Sequence, residues 1–219
     1  MLAIKPMLER PVHECGDCIL NSGGRCPFVA KKLKAGSTLW MQGDVPRELV
    51  FVRDGLFSLS ATEPSGTETL TSVRGPRSMV GTESLRNQPA TTSVEALTDA
   101  TVCAAEASVV QRWLGPASAS SALLTLALDE LSRQARELNL RSGPSLARVA
   151  RFLIEYSKLI DGGRQAPFSK QHVARLLGMR AETLSRCLRQ LVDAGVIESG
   201  RHVAVKDTDR LGQVARGGE

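Results

Sequence analysis

The chain has 219 residues, of which 42% are hydrophobic and 4% aromatic, so its core must consist mostly of aliphatic side chains. Its net charge of +5 lies in the last third, because residues 142–219 carry 13 Lys and Arg against 8 Asp and Glu while residues 1–141 are balanced. No apolar leader and no run long enough to span a membrane occurs, which predicts a cytoplasmic protein with a polyanion as the expected partner of its basic end.

Three cysteines, Cys15, Cys18 and Cys26, lie in the short segment 1–27, and a fourth, Cys103, stands far along the chain. In a reducing compartment, clustered thiols more often bind metal or sense redox state than form structural disulfides. Taken alone, the residues also allow a structural zinc, a disulfide switch made by Cys15 and Cys18, or a plain buried role for Cys103.

Residues 28–116 contain short apolar runs separated by Gly-containing turns, a spacing typical of an all-β sandwich or roll. The run LVFVRDGLFSLS (49–60) predicts two strands that form a hairpin around Asp54-Gly55. Gly115-Pro116 then predicts the end of this β region.

Residues 117–141 predict one long helix, since positions 117–140 contain no Gly or Pro and are rich in Ala, Leu, Glu and Arg. Its apolar residues recur every three or four positions in a narrow stripe, which favours a two-stranded homodimer seam. A helix packed on its own domain would usually show a broader stripe. The predicted seam consists of Leu124, Leu128, Leu131, Ala135 and Leu138.

Residues 142–219 predict a winged helix-turn-helix domain, which begins with a helix over about 146–159. In the segment 169–191, Ala174 allows two helices to cross closely, Gly178 makes the turn between them and Leu184 anchors the second helix. The following segment 195–207 predicts a small hairpin, the wing.

The second helix of this motif carries the predicted base contacts, Glu182, Ser185 and Arg186, which share one helical face. Arg can bind guanine through two hydrogen bonds, Glu can accept from cytosine, and Ser can contact a base or a phosphate. An exposed ion pair between Glu182 and Arg186 is compatible with this role. Backbone or secondary contacts are predicted for Lys170, His172, Arg175, Arg180, Arg189 and Arg201. Cys187 is interpreted as a packing residue.

The order of a β-roll, a long helix and a winged helix-turn-helix resembles the CRP/FNR family of bacterial transcription regulators. GDVPRELVFVRDGLFSL (43–59) is similar to the core pattern of the family's roll, and ETLSR (182–186) to the recognition helix of its FNR branch. The resemblance implies an α+β fold with a cyclic-nucleotide-binding-like roll. It also implies inverted-repeat DNA with TTGAT-like half-sites, and contact with RNA polymerase.

The resemblance further implies that Cys15, Cys18, Cys26 and Cys103 together hold a [4Fe-4S] cluster, which takes four thiolates. Seven residues separate Cys18 from Cys26, more than in the best-known member, and the glycines between them can absorb the longer loop. The implied mechanism is a dimer that binds DNA while the cluster is intact and loosens when oxygen or nitric oxide attacks it.

Two other functions are less well supported by the residues. Cyclic-nucleotide receptors of the family carry an Arg-Ser pair where this chain has Ala90-Thr91-Thr92, and Arg86 is the cation nearest in sequence. A jelly-roll metalloenzyme would need His and carboxylate ligands in the roll, whereas His13, His172 and His202 all lie outside it. The sequence therefore predicts no catalytic residues.

Overall fold

The computed structural model describes residues 26–115, 117–157, 170–199 and 203–217. Its first part contains eight strands that form two four-stranded antiparallel sheets. The first sheet has the order β1-β8-β3-β6 and the second has the order β2-β7-β4-β5. The strands are β1 (Val29–Leu33), β2 (Thr38–Trp40), β3 (Glu48–Asp54), β4 (Phe57–Thr62), β5 (Glu68–Arg74), β6 (Met79–Val80), β7 (Ser93–Ala96) and β8 (Ala100–Glu106).

The first sheet is apolar on both of its faces. Because side chains alternate along a strand, Val50 and Val52 of β3 face the second sheet, in a cluster that includes Phe57 and Val94. The intervening Leu49 and Phe51 belong to a separate cluster on the outer face, which the helices cover. This two-sided burial explains why LVFV reads as a continuous apolar run.

The predicted hairpin around Asp54-Gly55 is wrong. β3 pairs with β6 and β8 of the first sheet, whereas β4 pairs with β5 and β7 of the second. The chain therefore changes sheets at Gly55, whose φ of +92° favours glycine. A Cβ on Gly55 would lie 2.5 Å from the Cβ of Ala100, so the sharp corner also requires glycine for space.

Six α-helices are present among the described residues, and the predicted long helix over 117–140 is one of them. Two short ones were not predicted: α1 follows β8 without a turn residue, and α6 contains Gly212. A 3-10 helix also spans Thr82–Arg86. The α-helices are α1 (Ala107–Trp113), α2 (Ala117–Leu140), α3 (Ser145–Ser157), α4 (Lys170–Leu176), α5 (Ala181–Asp193) and α6 (Thr208–Ala215). None of them is long and apolar enough to cross a membrane.

The C-terminal part packs α3, α4, α5 and α6 around one apolar cluster, next to a two-stranded antiparallel hairpin. Its strands are β9 (Ile197–Ser199) and β10 (Val203–Val205), which confirms the predicted wing hairpin. Leu70 and Val73 of β5 belong to the same cluster as Val173 and Leu177. The C-terminal domain therefore packs directly against the second sheet of the roll.

Candidate DNA-binding and thiol sites

The turn between α4 and α5 has the geometry that the sequence predicts. Gly178 adopts a left-handed φ of +61°, and its N–H donates to the carbonyl of Arg175 at 3.0 Å. The N–H of Met179 donates to the carbonyl of Ala174 at 2.9 Å, so the two bonds form a Schellman end to α4. Ala174 and Leu184 are both buried, as close crossing of the two helices requires.

The predicted base-contacting residues lie on the accessible side of α5. Glu182, Arg186 and Arg189 are exposed and Ser185 is half-buried, whereas Leu184, Cys187 and Leu191 are buried in the domain core. Within the described part of the chain, no ion pair joins Glu182 to Arg186, so both charged groups point to solvent and are available to a ligand.

The side chains predicted to flank the DNA are also exposed where the structure describes them, namely Lys170, His172, Arg175 and Arg180. Arg201 lies outside the described residues. Arg175 is engaged already, since its Nη1 donates to the carbonyl of Glu68 on the roll at 2.7 Å. Its predicted phosphate contact would require it to leave Glu68.

Arginine side chains also connect the long helix to the DNA-binding motif. Arg141, just after α2, donates from Nε to the carbonyl of Leu176 at 3.0 Å. Arg148 of α3 donates from Nη1 to the carbonyl of Leu177 at 2.9 Å, and Arg151 donates to the carbonyl of Asn139 at 2.9 Å. These bonds satisfy carbonyl groups at the ends of α2 and α4. They connect the end of α2 to the end of α4, the first helix of the reading motif.

Charge counting did not distinguish these structural arginines from arginines that are available to a ligand. The structural arginines lie in or next to the basic C-terminal third, and they donate to backbone carbonyls of the protein, as does the exposed Arg210, which donates to the carbonyl of Ala194 at 2.8 Å. Among the described residues of the helix-turn-helix, the exposed cations lie on α4, on α5 and at Arg180 between them.

The predicted seam of α2 forms an exposed apolar stripe. Leu124, Leu128, Leu131 and Leu138 are 60%, 53%, 61% and 71% exposed, although leucine is usually buried. Ala135 is also exposed. The opposite side of the helix, which includes Ala122 and Leu126, is buried against the roll. An apolar stripe on the outside of a helix already packed on its inside is the arrangement expected of a seam.

The thiols of Cys26 and Cys103 belong to the same apolar cluster. Cys103 is buried on the outer face of β8, because its neighbours Val102 and Ala104 face the roll interior. Cys26 is half-buried and packs against this cluster, which also contains Leu126 of α2. Cys15 and Cys18 lie outside the described residues. No group of three or more potential metal ligands occurs among the residues that are described.

The third described thiol, Cys187, lies in the core of the DNA-binding domain among Leu184 and Leu191. Burial raises the pKa of its thiol, as is expected of a cysteine that packs in an apolar core. Its interpretation as a packing residue agrees with this position.

A cavity of about 400 Å³ lies between the second sheet and the C-terminal half of α2. Thr91 and Thr92 line it, but Arg86 does not; the cations in its wall are Arg74, whose role sequence analysis missed, and Arg141. The Arg74 guanidinium contacts Glu130 and Glu137 of α2 at 2.6 and 2.8 Å. The only sequence signal of this contact is that Glu130, Arg133 and Glu137 share one face of α2, opposite the leucines.

Arg74 is consequently not available as a phosphate-binding group. Its Nη1 and Nη2 donate to protein acceptors, and only Nε lacks one among the described residues. The other cation of the wall, Arg141, already donates from Nε to the carbonyl of Leu176, and three carboxylates line the same cavity. Since a buried anion needs an available cation or a helix N-terminus, the charges of the wall do not favour a cyclic nucleotide.

An apolar roll, a helix with an exposed leucine stripe and an exposed reading helix define the class of a DNA-binding transcription regulator. Two family models match the chain: the cyclic nucleotide-binding domain over residues 30–115 and the Crp-like helix-turn-helix domain over residues 147–214. The chain belongs to the CRP/FNR family of transcription regulators, which are not enzymes and act as dimers on DNA.

Individual relatives are distant. The chain is 27% identical to the transcriptional activator protein FnrA of Stutzerimonas stutzeri, over 98% of this chain and 97% of that protein. It is 24% identical to a CRP-like cAMP-activated global transcriptional regulator of Mycobacterium tuberculosis, over 83% and 85% of the two chains. The solved structure of FixK2 from Bradyrhizobium japonicum has the same fold, with a TM-score of 0.72, 21% identity and coverage of 85% of this chain and 96% of that chain.

Proposed function

We propose that the chain is an FNR-type regulator that responds to oxygen or nitric oxide through a [4Fe-4S] cluster held by Cys15, Cys18, Cys26 and Cys103. It binds an inverted repeat of TTGAT-like half-sites as a homodimer while the cluster is intact. It acts in the cytoplasm, where it contacts both DNA and RNA polymerase. The similarity to FnrA along nearly the whole chain supports this branch of the family.

The observation that carries the proposal is the shared apolar cluster of Cys26, Cys103 and Leu126. Two of the four proposed ligands lie on one face of the roll, and that face also packs against the helix that bears the leucine stripe. This fits a cofactor that needs four thiolates, one of which must come from the distant strand β8.

The chain itself provides the coupling from the thiols to the dimer helix. Cys103 pairs with Phe51 across the first sheet, and both side chains contribute to the cluster against which Leu126 packs. The bound cofactor would supply a link between the N-terminal segment and β8 that oxygen or nitric oxide can break. Without that link, Cys26 and its segment no longer support the packing of Leu126, and pairing of the two leucine stripes weakens.

Each recognition helix of the dimer would then read one half-site. Pairing of α2 holds the two helices about one DNA turn apart, and the carbonyl contacts of Arg141 and Arg148 hold each reading motif on its long helix. Arg186 binds guanine, Glu182 accepts from cytosine and Ser185 contacts the adjacent base or phosphate.

The DNA-reading part is tested by Arg186→Ala, with Arg216→Ala on the exposed end of α6 as the control. Loss of a bidentate guanine contact should cost about 1–3 kcal/mol of binding free energy and relax specificity at one base pair. The measurement is fluorescence anisotropy with operator and base-substituted DNA in oxygen-free buffer. Equal effects of the two substitutions on every DNA would contradict the assigned contact.

The cofactor part is tested by Cys103→Ala, with the buried Cys187→Ala as the matched control. We expect oxygen-free wild type and the Cys187 variant to contain iron and acid-labile sulfide, to absorb visible light and to form dimers. The Cys103 variant should lose all three properties. Colourless wild type that contains one zinc per chain would instead assign the thiols to a structural zinc site.

A further inference from the structure

A buried group of charged side chains joins β5 of the roll to α2. We call it the Arg74 cluster, and it consists of Ser72, Arg74, Glu130 and Glu137. The side chains of Arg74, Glu130 and Glu137 are only 4%, 13% and 15% exposed. The Ser72 hydroxyl donates to Glu137 Oε1 at 2.5 Å and accepts from Arg74, so serine connects the cation to one of its two carboxylates.

The two carboxylates attach α2 to Arg74 of the roll at two points on one face of the helix. Glu130 and Glu137 are seven residues apart, which is two helical turns or about 10 Å along the axis. One guanidinium between them meets each carboxylate through a different nitrogen, Nη2 for Glu130 and Nη1 for Glu137. A rotation of α2 about its axis would break both contacts and leave charges buried without partners, which is strongly unfavourable.

The face of α2 that bears the two glutamates points away from the exposed leucines. At about 100° per residue, the directions of Glu130 and Glu137 differ from the mean direction of the leucine stripe by about 115° and about 135°, roughly a third of a turn. The rotation that keeps Arg74 between its two carboxylates is therefore the rotation that presents Leu131 and Leu138 to solvent, where they are more than half exposed.

The Arg74 cluster also forms one wall of the cavity between the roll and α2. Three carboxylates line this cavity, Glu83, Glu130 and Glu137, against two cations, Arg74 and Arg141, and the last two carboxylates already contact Arg74. At this cavity, the contact between the roll and α2 is thus made by the protein's own side chains.

We infer that the Arg74 cluster fixes the rotation of α2 on the roll and presents the leucine stripe for pairing without an anionic effector in the adjacent cavity. The inference rests on the proposed function in one respect, namely that the leucine stripe is the dimer seam. The cluster makes Arg74 a positioning residue that acts on the partner subunit through α2.

The first experiment measures amide hydrogen exchange of α2 in the full-length protein, diluted until it is monomeric. Breaking the buried cluster with Arg74→Met should speed exchange across 130–137 by about tenfold or more, because the local opening becomes easier. The control is Asp99→Asn, which breaks the exposed ion pair of Lys34 and should leave α2 unchanged. Unchanged exchange in the Arg74 variant would overturn the inference.

Two milder variants keep the test decisive if Arg74→Met fails to fold. Glu130→Gln and Ser72→Ala each remove one member of the cluster, the charge of Glu130 or the hydroxyl of Ser72, with little change in volume. Both should speed exchange in the same segment, by less than Arg74→Met would. If neither changes exchange while the fold is retained, the cluster does not hold the helix.

The second experiment measures the dimer dissociation constant by sedimentation in oxygen-free buffer, with and without millimolar cyclic AMP. We expect Arg74→Met to weaken dimerisation at least about tenfold and cyclic AMP to change the wild-type constant by less than about twofold. Tenfold tightening by cyclic AMP would overturn the claim that no anionic effector is needed. If wild type stays monomeric with its cofactor bound, the proposed seam fails, while the exchange experiment still tests the Arg74 cluster.

Discussion

Helix α2 contacts the roll in two places that differ in chemistry. Its N-terminal half packs Leu126 into the apolar cluster that contains Cys103, whereas its C-terminal half is held by the buried charges around Arg74. Apolar packing is non-directional and tolerates small shifts, but a buried ion pair is stable only in a narrow geometry. The contact near the thiols is thus suited to change with a signal. The charged contact is suited to keep the rotation of α2 on the roll fixed during that change.

The largest expected effect comes from the charged contact. Arg74→Met removes the cation from two buried carboxylates and should lower the free energy of unfolding by about 3–5 kcal/mol. The measurement is urea denaturation of monomeric protein at pH 7. Lys34→Met, which removes an exposed ion pair, should produce no measurable change. Equal stabilities of the two variants would show that the Arg74 cluster is not stabilising.

The apolar contact can be weakened by Leu126→Ala, compared with Leu124→Ala two positions earlier. Leu126 is 3% exposed and Leu124 is 60% exposed. A cavity at position 126 should cost about 2–5 kcal/mol. Truncation at position 124 should change the unfolding free energy of the monomer by less than about 0.5 kcal/mol, although it should weaken dimerisation. Denaturation curves measured below the dimer dissociation constant separate these effects, and a large monomer effect of Leu124→Ala would contradict the two-faced helix.

The smallest expected effect is a pH dependence within the charged contact. Burial raises the pKa of Glu137 above its ordinary 4.5, while Arg74 and the Ser72 hydroxyl act in the opposite direction. Glu130 and Arg133 of α2 and Tyr156 of α3 are the other titratable or charged groups that interact with it. The folded state then binds this proton more tightly than the unfolded chain, so the stabilisation is complete below pH 4.5 and is lost as pH rises through the raised pKa.

We therefore expect the melting temperature of wild type, relative to Glu137→Gln, to fall between pH 4.5 and pH 7. Glu198→Gln is a control of opposite sign, because the hydrogen bond from Lys206 lowers the pKa of Glu198. Its contribution is present above the ordinary pKa and is lost in acid. If the melting temperature of wild type relative to Glu137→Gln instead increases as pH rises, the assignment of a raised pKa to Glu137 is contradicted.

The sequence was sufficient to predict features that depend on local spacing. The long helix at 117–140, the turn at Gly178 and the wing hairpin are encoded by residues within a few positions of one another. The same periodicity separates the two faces of α2. Leu124 lies on the exposed face and Glu130 lies on the face that packs against the roll.

Features that depend on distant partners could not be predicted in this way. Asp54-Gly55 has the sequence of a hairpin turn, but β3 finds its partners in β6 and β8, and only the packing of two sheets decides this. Arg74 appeared to be an ordinary strand residue because its carboxylates lie more than 50 positions away. Helix α6 had a local signal that was missed, since Asp207 accepts a capping hydrogen bond from the N–H of Arg210.

We propose that a cofactor held by Cys26, Cys103 and the two earlier cysteines controls pairing of α2 and hence DNA binding. The most direct test is a titration of oxygen-free wild type with dissolved oxygen, in which visible absorption, dimer fraction and operator affinity are followed on the same sample. The account predicts that all three decline together, while Cys103→Ala starts colourless, monomeric and weakly bound. Protein that contains no iron or sulfide, yet dimerises and binds its operator equally well before and after oxygen, would contradict it.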